Sequence, residues 1–215
     1  MVDVGPNSGS TTAETTLEDV SWTNPSNILT QNDTYATVSI SAGQTPELLY
    51  ATGLGFSIPS NATITHVRVE VDMFTNVTPA NDFALVVTKN AGASIAGSRP
   101  INRFAMPASD SDTYIDTGFA TLAQWGMTLS PAEANSADFG GGFWLIFGDT
   151  LALVYDHARV SIRYEINPGP PDMQPMPRGR YVRRPGVKLY DQEDTPLAIA
   201  TLPEDLRFLM GASVQ

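Results

Sequence analysis

The sequence predicts an all-β fold, an antiparallel two-sheet sandwich of the jelly-roll kind with an extended C-terminal arm. Apolar and polar residues alternate with period two in His66 to Met73 and again in Ala158 to Ile166, the pattern of strands buried on one face. Short apolar runs separated by Gly, Pro, Asn and Asp recur from Trp22 onward, as in sandwiches and barrels. Parallel strands would need crossover helices of about a dozen residues between these runs, and none is visible.

Along the chain, residues 1–16 hold Gly5, Pro6, Asn7, Ser8, Gly9, Ser10 and a threonine-rich run with little apolar content. They read as a flexible lead-in, ordered only by a neighbour. The sandwich domain is expected over residues 17–167. In His66 to Met73, Val67, Val69, Val71 and Met73 share the inner face, and Arg68, Glu70 and Asp72 the outer one. In the second alternating stretch Ala158, Val160, Ile162, Tyr164 and Ile166 point inward and Arg159, Ser161, Arg163 and Glu165 outward. Further strands are expected at Ala36 to Ile40, Glu47 to Ala51, Phe83 to Thr88, Thr113 to Thr117, Phe143 to Phe147 and Leu151 to Tyr155. Ser130-Pro131-Ala132-Glu133 has a serine cap, a proline in the first turn and a glutamate three residues after the cap, so it predicts one short helix.

Residues 168–186 form a linker rich in proline and arginine, with Pro168, Pro170, Pro171, Pro175, Pro177 and Pro185 favouring extended chain. A docking arm is expected over residues 187–215. Val187 to Tyr190, with Leu189 and Tyr190, and Leu197 to Ala200 flank an acidic turn and read as a hairpin. Leu202, Leu206, Leu209 and Met210 then share one face of a short helix that Thr201 and Glu204 can cap. Neither element is stable alone, so the arm is expected to dock on a surface, its own or another subunit's.

The chain has 215 residues and no cysteine. A unit of roughly 150 residues buries about 70% of its unfolded surface and needs no covalent staple. Residues 1–168 hold 17 acidic and 6 basic side chains, and residues 169–215 hold 6 of each, so the net −11 resides in residues 1–168. Such an acidic body is a poor ligand for nucleic acid. No apolar run reaches membrane-spanning length and the start lacks the order of a signal peptide, so a soluble protein is expected.

Few residues suggest chemistry. The two histidines, His66 and His157, fall on the solvated faces of their strands without a nucleophile elbow nearby, and no catalytic residue is assigned. Asp110, Asp112 and Asp116 could supply oxygen ligands to calcium, but they lack the glycine and terminal glutamate of a dedicated loop. A solvated acidic loop is the simpler reading, so no metal or cofactor is expected. Trp144 lies in an almost continuous apolar run and belongs in or near the core, whereas Trp22 and Trp125 remain open as stacking platforms for a glycan. Arg178, Arg180, Arg183, Arg184 and Lys188 form a basic run free of acidic residues. It either pairs with the acidic surface of a neighbouring copy or is a solvated linker.

Several segments, in order, carry a resemblance. They are Trp22-Thr23-Asn24-Pro25-Ser26-Asn27, Asn32-Asp33-Thr34-Tyr35-Ala36, Gly55-Phe56-Ser57-Ile58-Pro59 with Ala62-Thr63-Ile64, and Val67-Arg68-Val69-Glu70-Val71. Trp125-Gly126, Asn135, Phe139-Gly140 and Asp156-His157-Ala158-Arg159-Val160-Ser161-Ile162-Arg163-Tyr164 complete the set. Together they span about residues 20–166 and resemble a sandwich domain that recurs in virion proteins of tailed bacteriophages. The resemblance implies a non-enzymatic decoration or accessory protein located on the virion, a homo-oligomer whose partners are capsid or tail subunits. The arm lies outside the resemblance. A carbohydrate-binding module of a host-attachment fibre is the alternative.

Overall fold

A computed structural model of the chain describes residues 1–15, 18–75, 83–101, 107–108, 114–145 and 151–167. The arm and linker residues, among them Arg178, Arg180, Arg183, Arg184, Leu189, Tyr190, Leu202, Leu206, Leu209 and Met210, lie outside the described residues, as do Asp110 and Asp112.

The described chain is an all-β, two-sheet antiparallel sandwich. Its strands are β1 (Val2–Ser8), β2 (Thr11–Glu14), β3 (Ala36–Ile40), β4 (Leu49–Thr52), β5 (Ala62–Thr75) and β6 (Phe83–Thr88). They continue with β7 (Gly97–Ile101), β8 (Tyr114–Asp116), β9 (Ala120–Thr121), β10 (Gly140–Leu145) and β11 (Leu151–Ile166). One sheet runs β1-β11-β5-β8, with β3 also paired to β11 and β9 to β5; the other runs β2-β4-β10-β6-β7.

β5 and β11 are the two alternating stretches, and they pair along nearly their whole length, from Leu153 opposite Thr75 to Ile166 opposite Ala62. Each has one irregularity. In β11 the register passes from Tyr155↔Met73 to His157↔Asp72, so Asp156 is an extra residue. This bulge lets both Tyr155 and Ala158 face inward although they are three residues apart. Val67, Val69, Val71, Met73, Ala158, Val160 and Ile162 are all buried, as alternation predicts, but Ile166 at the end of its strand is 46% exposed.

The opposing sheet contributes Leu49, Ala51, Phe83, Leu85, Val87, Phe143 and Leu145 to the same core. Fully burying each large apolar side chain contributes about 1.5–3 kcal/mol before entropy is counted. The sheets come close together at β10, where a Cβ on Gly141 would lie 2.6 Å from Val160 Cγ2 and 3.1 Å from Val69 Cγ1. The glycine there makes room for the facing valines.

The first residues depart from expectation. They are a pair of edge strands, β1 against β11 and β2 against β4, and not a free lead-in. Backbone pairing with long inner strands supplies the order that their own side chains cannot.

Two helical turns close one end of the sandwich. α1 (Leu122–Trp125) has a capping box between Thr121 and Gln124 and stops at Gly126, in the left-handed region at φ 69°. α2 (Pro131–Ala134) is the predicted short helix, with Ser130 and Glu133 bonded reciprocally. A 3-10 turn, η1 (Pro25–Leu29), buries Ile28 beneath β3 and β11. Among the described residues no helix is long and apolar enough to cross a membrane.

Glu133 also meets Lys89 Nζ at 2.8 Å. That hydrogen bond, then the Ser130 amide, holds its carboxyl at about 2 against the ordinary 4.5. Since the folded value is the lower one, the contribution is present above pH 4.5 and lost as pH falls toward about 2. The carboxylate is 39% exposed, so solvent screens the pair and the effect is small. Urea midpoints measured across this window should fall less steeply for Glu133→Gln than for the natural chain.

Candidate functional site

The most organised polar group among the described residues covers the outer face of the β5–β11 sheet. Cross-strand register places His157 opposite Asp72 and Asp72 opposite Tyr114, and in the next row Ser8 opposite Arg159, Arg159 opposite Glu70 and Glu70 opposite Asp116. Alternation predicts a solvated face, yet Asp72 is only 1% exposed, Glu70 2% and His157 6%. The long side chains of neighbouring strands lie over them. His157 is thus not the solvated histidine that the pattern suggests, whereas His66 is half-buried and bonds the Thr65 hydroxyl at 2.9 Å.

The imidazole of His157 joins three elements. Its Nε2 is 2.8 Å from Ser8 Oγ and its Nδ1 2.6 Å from Tyr114 Oη. The Tyr114 hydroxyl donates to Gln31 Oε1 at 2.8 Å, and Gln31 Nε2 donates to Asp72 Oδ2 at 3.3 Å. A phenol proton given to Gln31 cannot also be given to His157, so Nδ1 carries the imidazole proton and Nε2 accepts from Ser8. Burial first, and then the charge of Arg159, hold the imidazole below its ordinary 6.5, with Glu70 opposing. Burial pushes the Tyr114 phenol up to about 12.

Beside this chain runs a charge ladder. Glu70 Oε1 takes Arg159 at 2.9 Å and Arg68 at 3.1 Å, and Arg68 reaches Asp116 at 2.9 Å. Arg159 stacks its guanidinium 3.7 Å from the centroid of the Tyr114 ring. Burial would raise the Asp116 carboxyl, but Arg68 and the Gly118 amide more than offset it and leave it lowered. Asp116 is therefore tied into an ion-pair ladder. No group of three or more His, Asp or Glu among the described residues is placed to hold a metal.

A serine hydroxyl on a neutral imidazole is the beginning of a nucleophile, but acyl transfer also needs donors aimed at the developing oxyanion. The nearby Ser10 amide is already given to Thr52 O at 2.9 Å. What the arrangement does directly is to hold five segments together: β1, the loop after η1 through Gln31, β5, β8 and β11.

The two tryptophans that the sequence left open are both inside the core. Trp22 and Trp125 are 5% and 2% exposed. Trp22 Nε1 donates to Glu47 O at 2.7 Å, and Trp125 Nε1 to Val67 O at 3.0 Å. Neither offers an indole face to a glycan, because each ring fills core volume while its one polar atom caps a carbonyl. Trp144 is half-buried on the outer face of the other sheet, beside a small cluster of Leu48, Tyr50, Ala84 and Val86.

None of the known protein families, and none of the curated proteins, matches the sequence. Among solved structures, the chain is similar to the Clostridium thermocellum endo-1,4-beta-D-xylanase 10B, described as N-terminal CBM22-1 and GH10 modules complexed with xylohexaose, at 11% identity and a TM-score of 0.36. The match covers 75% of this chain and 28% of that one.

Replacing Glu70 by Ala leaves Arg68 with Asp116 alone and Arg159 without a carboxylate, on guanidinium groups that are partly exposed. Losing these charged hydrogen bonds should cost about 1.5–3 kcal/mol, read from urea unfolding midpoints.

Proposed function

We propose that the chain is a non-enzymatic structural protein of a tailed-phage virion, a decoration or accessory component whose sandwich is presented on the particle and whose C-terminal arm attaches it to neighbouring subunits. The observation that carries this reading is the use made of the residues behind the resemblance. Asn135 brackets the backbone of Ile58, accepting from its N–H and donating to its carbonyl, both at 2.8 Å. Asn27 donates to Tyr35 O at 2.9 Å, Trp22 and Trp125 cap carbonyls of the core, and His157 ties β1 to β8. These groups are engaged in holding loops to strands, as expected of a scaffold. The basic run Arg178 to Lys188 is complementary in charge to the acidic body of another copy.

The test compares oligomeric mass and thermal stability of the full chain with a chain ending at Pro168. A stable monomer after truncation, beside an assembling full chain, is the expected result. Two monomers, with the shorter one unfolded, would mean that the arm completes its own core and would end the docking account.

A carbohydrate-binding module on a host-attachment fibre is the second reading. Since Trp22 and Trp125 are inside, it now rests on Trp144, the one indole among the described residues that reaches the surface. A glycan array should show no binding by the full chain. A glycan retained by the full chain and lost with Trp144→Ala would replace the first reading with this one.

A further inference from the structure

Strand β1 lies at the edge of its sheet and buries little side chain. Its residues are exposed except for the half-buried Val4 and Asn7, and its ladder to β11 is interrupted between Val4 and Asn7. Val4 is its one apolar side chain packed on the core. Three side-chain contacts supplement the ladder: Asp3 receives Arg163 Nε and Nη2 at 2.6 and 2.8 Å, Asn7 Nδ2 donates to Leu54 O at 2.8 Å, and Ser8 meets His157 Nε2 at 2.8 Å. Two of the three depend on a titratable partner. Segments with few apolar contacts and exposed backbone bonds open first, without global unfolding.

We propose that Ser8–His157 and Asp3–Arg163 form an acid-sensitive clip that holds β1 on the edge of its sheet and releases it while the rest of the sandwich stays folded.

His157 is surrounded by named charges. Arg159 and Asp156 belong to its own strand; Glu70, Asp72 and Arg68 come from β5, and Tyr114 and Asp116 from β8. Glu70 is already shared between two arginines, Asp72 accepts from Gln31, and Arg159 lies over the Tyr114 ring. A positive charge on the imidazole therefore meets Arg159 in a dry neighbourhood where Glu70 Oε1 already holds two arginines and Asp72 accepts from Gln31. Displacing Ser8, the exposed residue on Nε2, is the least disruptive way to let water reach it.

The sign follows from the direction of each shift. His157 is lowered from 6.5, so the clip is complete above that pH and weakens as pH falls through it. Asp3 is lowered from 3.8 by its hydrogen bond to Arg163, and its share is lost only below that value, with His66 and the Met1 amino group also favouring the carboxylate. Opening β1 uncovers the backbone edge of β11 from Arg159 to Tyr164, a row of groups able to take up another strand.

Hydrogen exchange read by mass spectrometry from about pH 7.5 to about pH 5, corrected for intrinsic exchange, tests this on the full chain. Protection of residues 2–8 should fall by up to about tenfold per pH unit, the limit for one proton, while β5 and β10 stay protected. His157→Gln keeps a donor and an acceptor and should abolish the dependence. Ser8→Ala should lower β1 protection at neutral pH and remove the dependence without changing the thermal midpoint. Constant protection of β1, an equal loss in all strands, or a dependence that survives both substitutions would overturn the proposal.

Discussion

The pairing of β5 with β11 is the constraint on which the rest of the sandwich depends. β11 is flanked on one side by β5 and on the other by β1 and β3, so three strands take their position from it. A period-two apolar stripe such as Val67, Val69, Val71 and Met73 tolerates a slip of two residues, because the inner face stays apolar. The outer face does not tolerate it. Only the observed register sets Asp72 between His157 and Tyr114 and Glu70 between Arg159 and Asp116, so the charge rows supply register information that the apolar stripe lacks.

That specificity has an energetic cost. Glu70 and Asp72 are almost wholly removed from water, and half-exposed ion pairs return little by themselves. The cost is offset in part because Glu70 Oε1 accepts from both Arg68 and Arg159, because Asp72 accepts from Gln31, and because stacked Arg159 and Tyr114 lie beside them. An apolar outer face of equal area would have been a sticky patch. The polar network covers the sheet, and β1 joins it at one serine, Ser8.

The fold was largely legible in the sequence. Strands β3 and β6 begin and end where their apolar runs do, and the cap of α2 is written in Ser130 and Glu133. β1, β2 and β7 were not legible, because edge strands bury little and carry Gly, Ser, Thr and Pro like loops. The polar cluster was missed for a related reason. Arg68, Glu70 and Asp72 alternate visibly, and so do His157 and Arg159, but which lies opposite which depends on the extra residue Asp156, and a bulge has no sequence signature of its own. Trp22 and Trp125 stayed open because one lies in a loop and the other on a single helical turn, where no period-two alternation tells a buried indole from an exposed one.

The edges narrow the ways in which such a domain can associate. β1 carries Pro6 and an interrupted ladder, β7 carries Pro100, and β2, β8 and β9 have four, three and two residues. The free side of β3 is bridged by Thr23, whose N–H and carbonyl both bond Thr37. Proline, bulges and short length are the devices that prevent sheets from joining edge to edge. With its described edges blunted in this way, the folded sandwich offers little free strand edge to another copy. Among the described strands, displacing β1 frees the edge of β11 from Arg159 to Tyr164. Strand-to-strand joining is thus a conditional property of this sheet, governed by the same serine–histidine contact that completes its outer face.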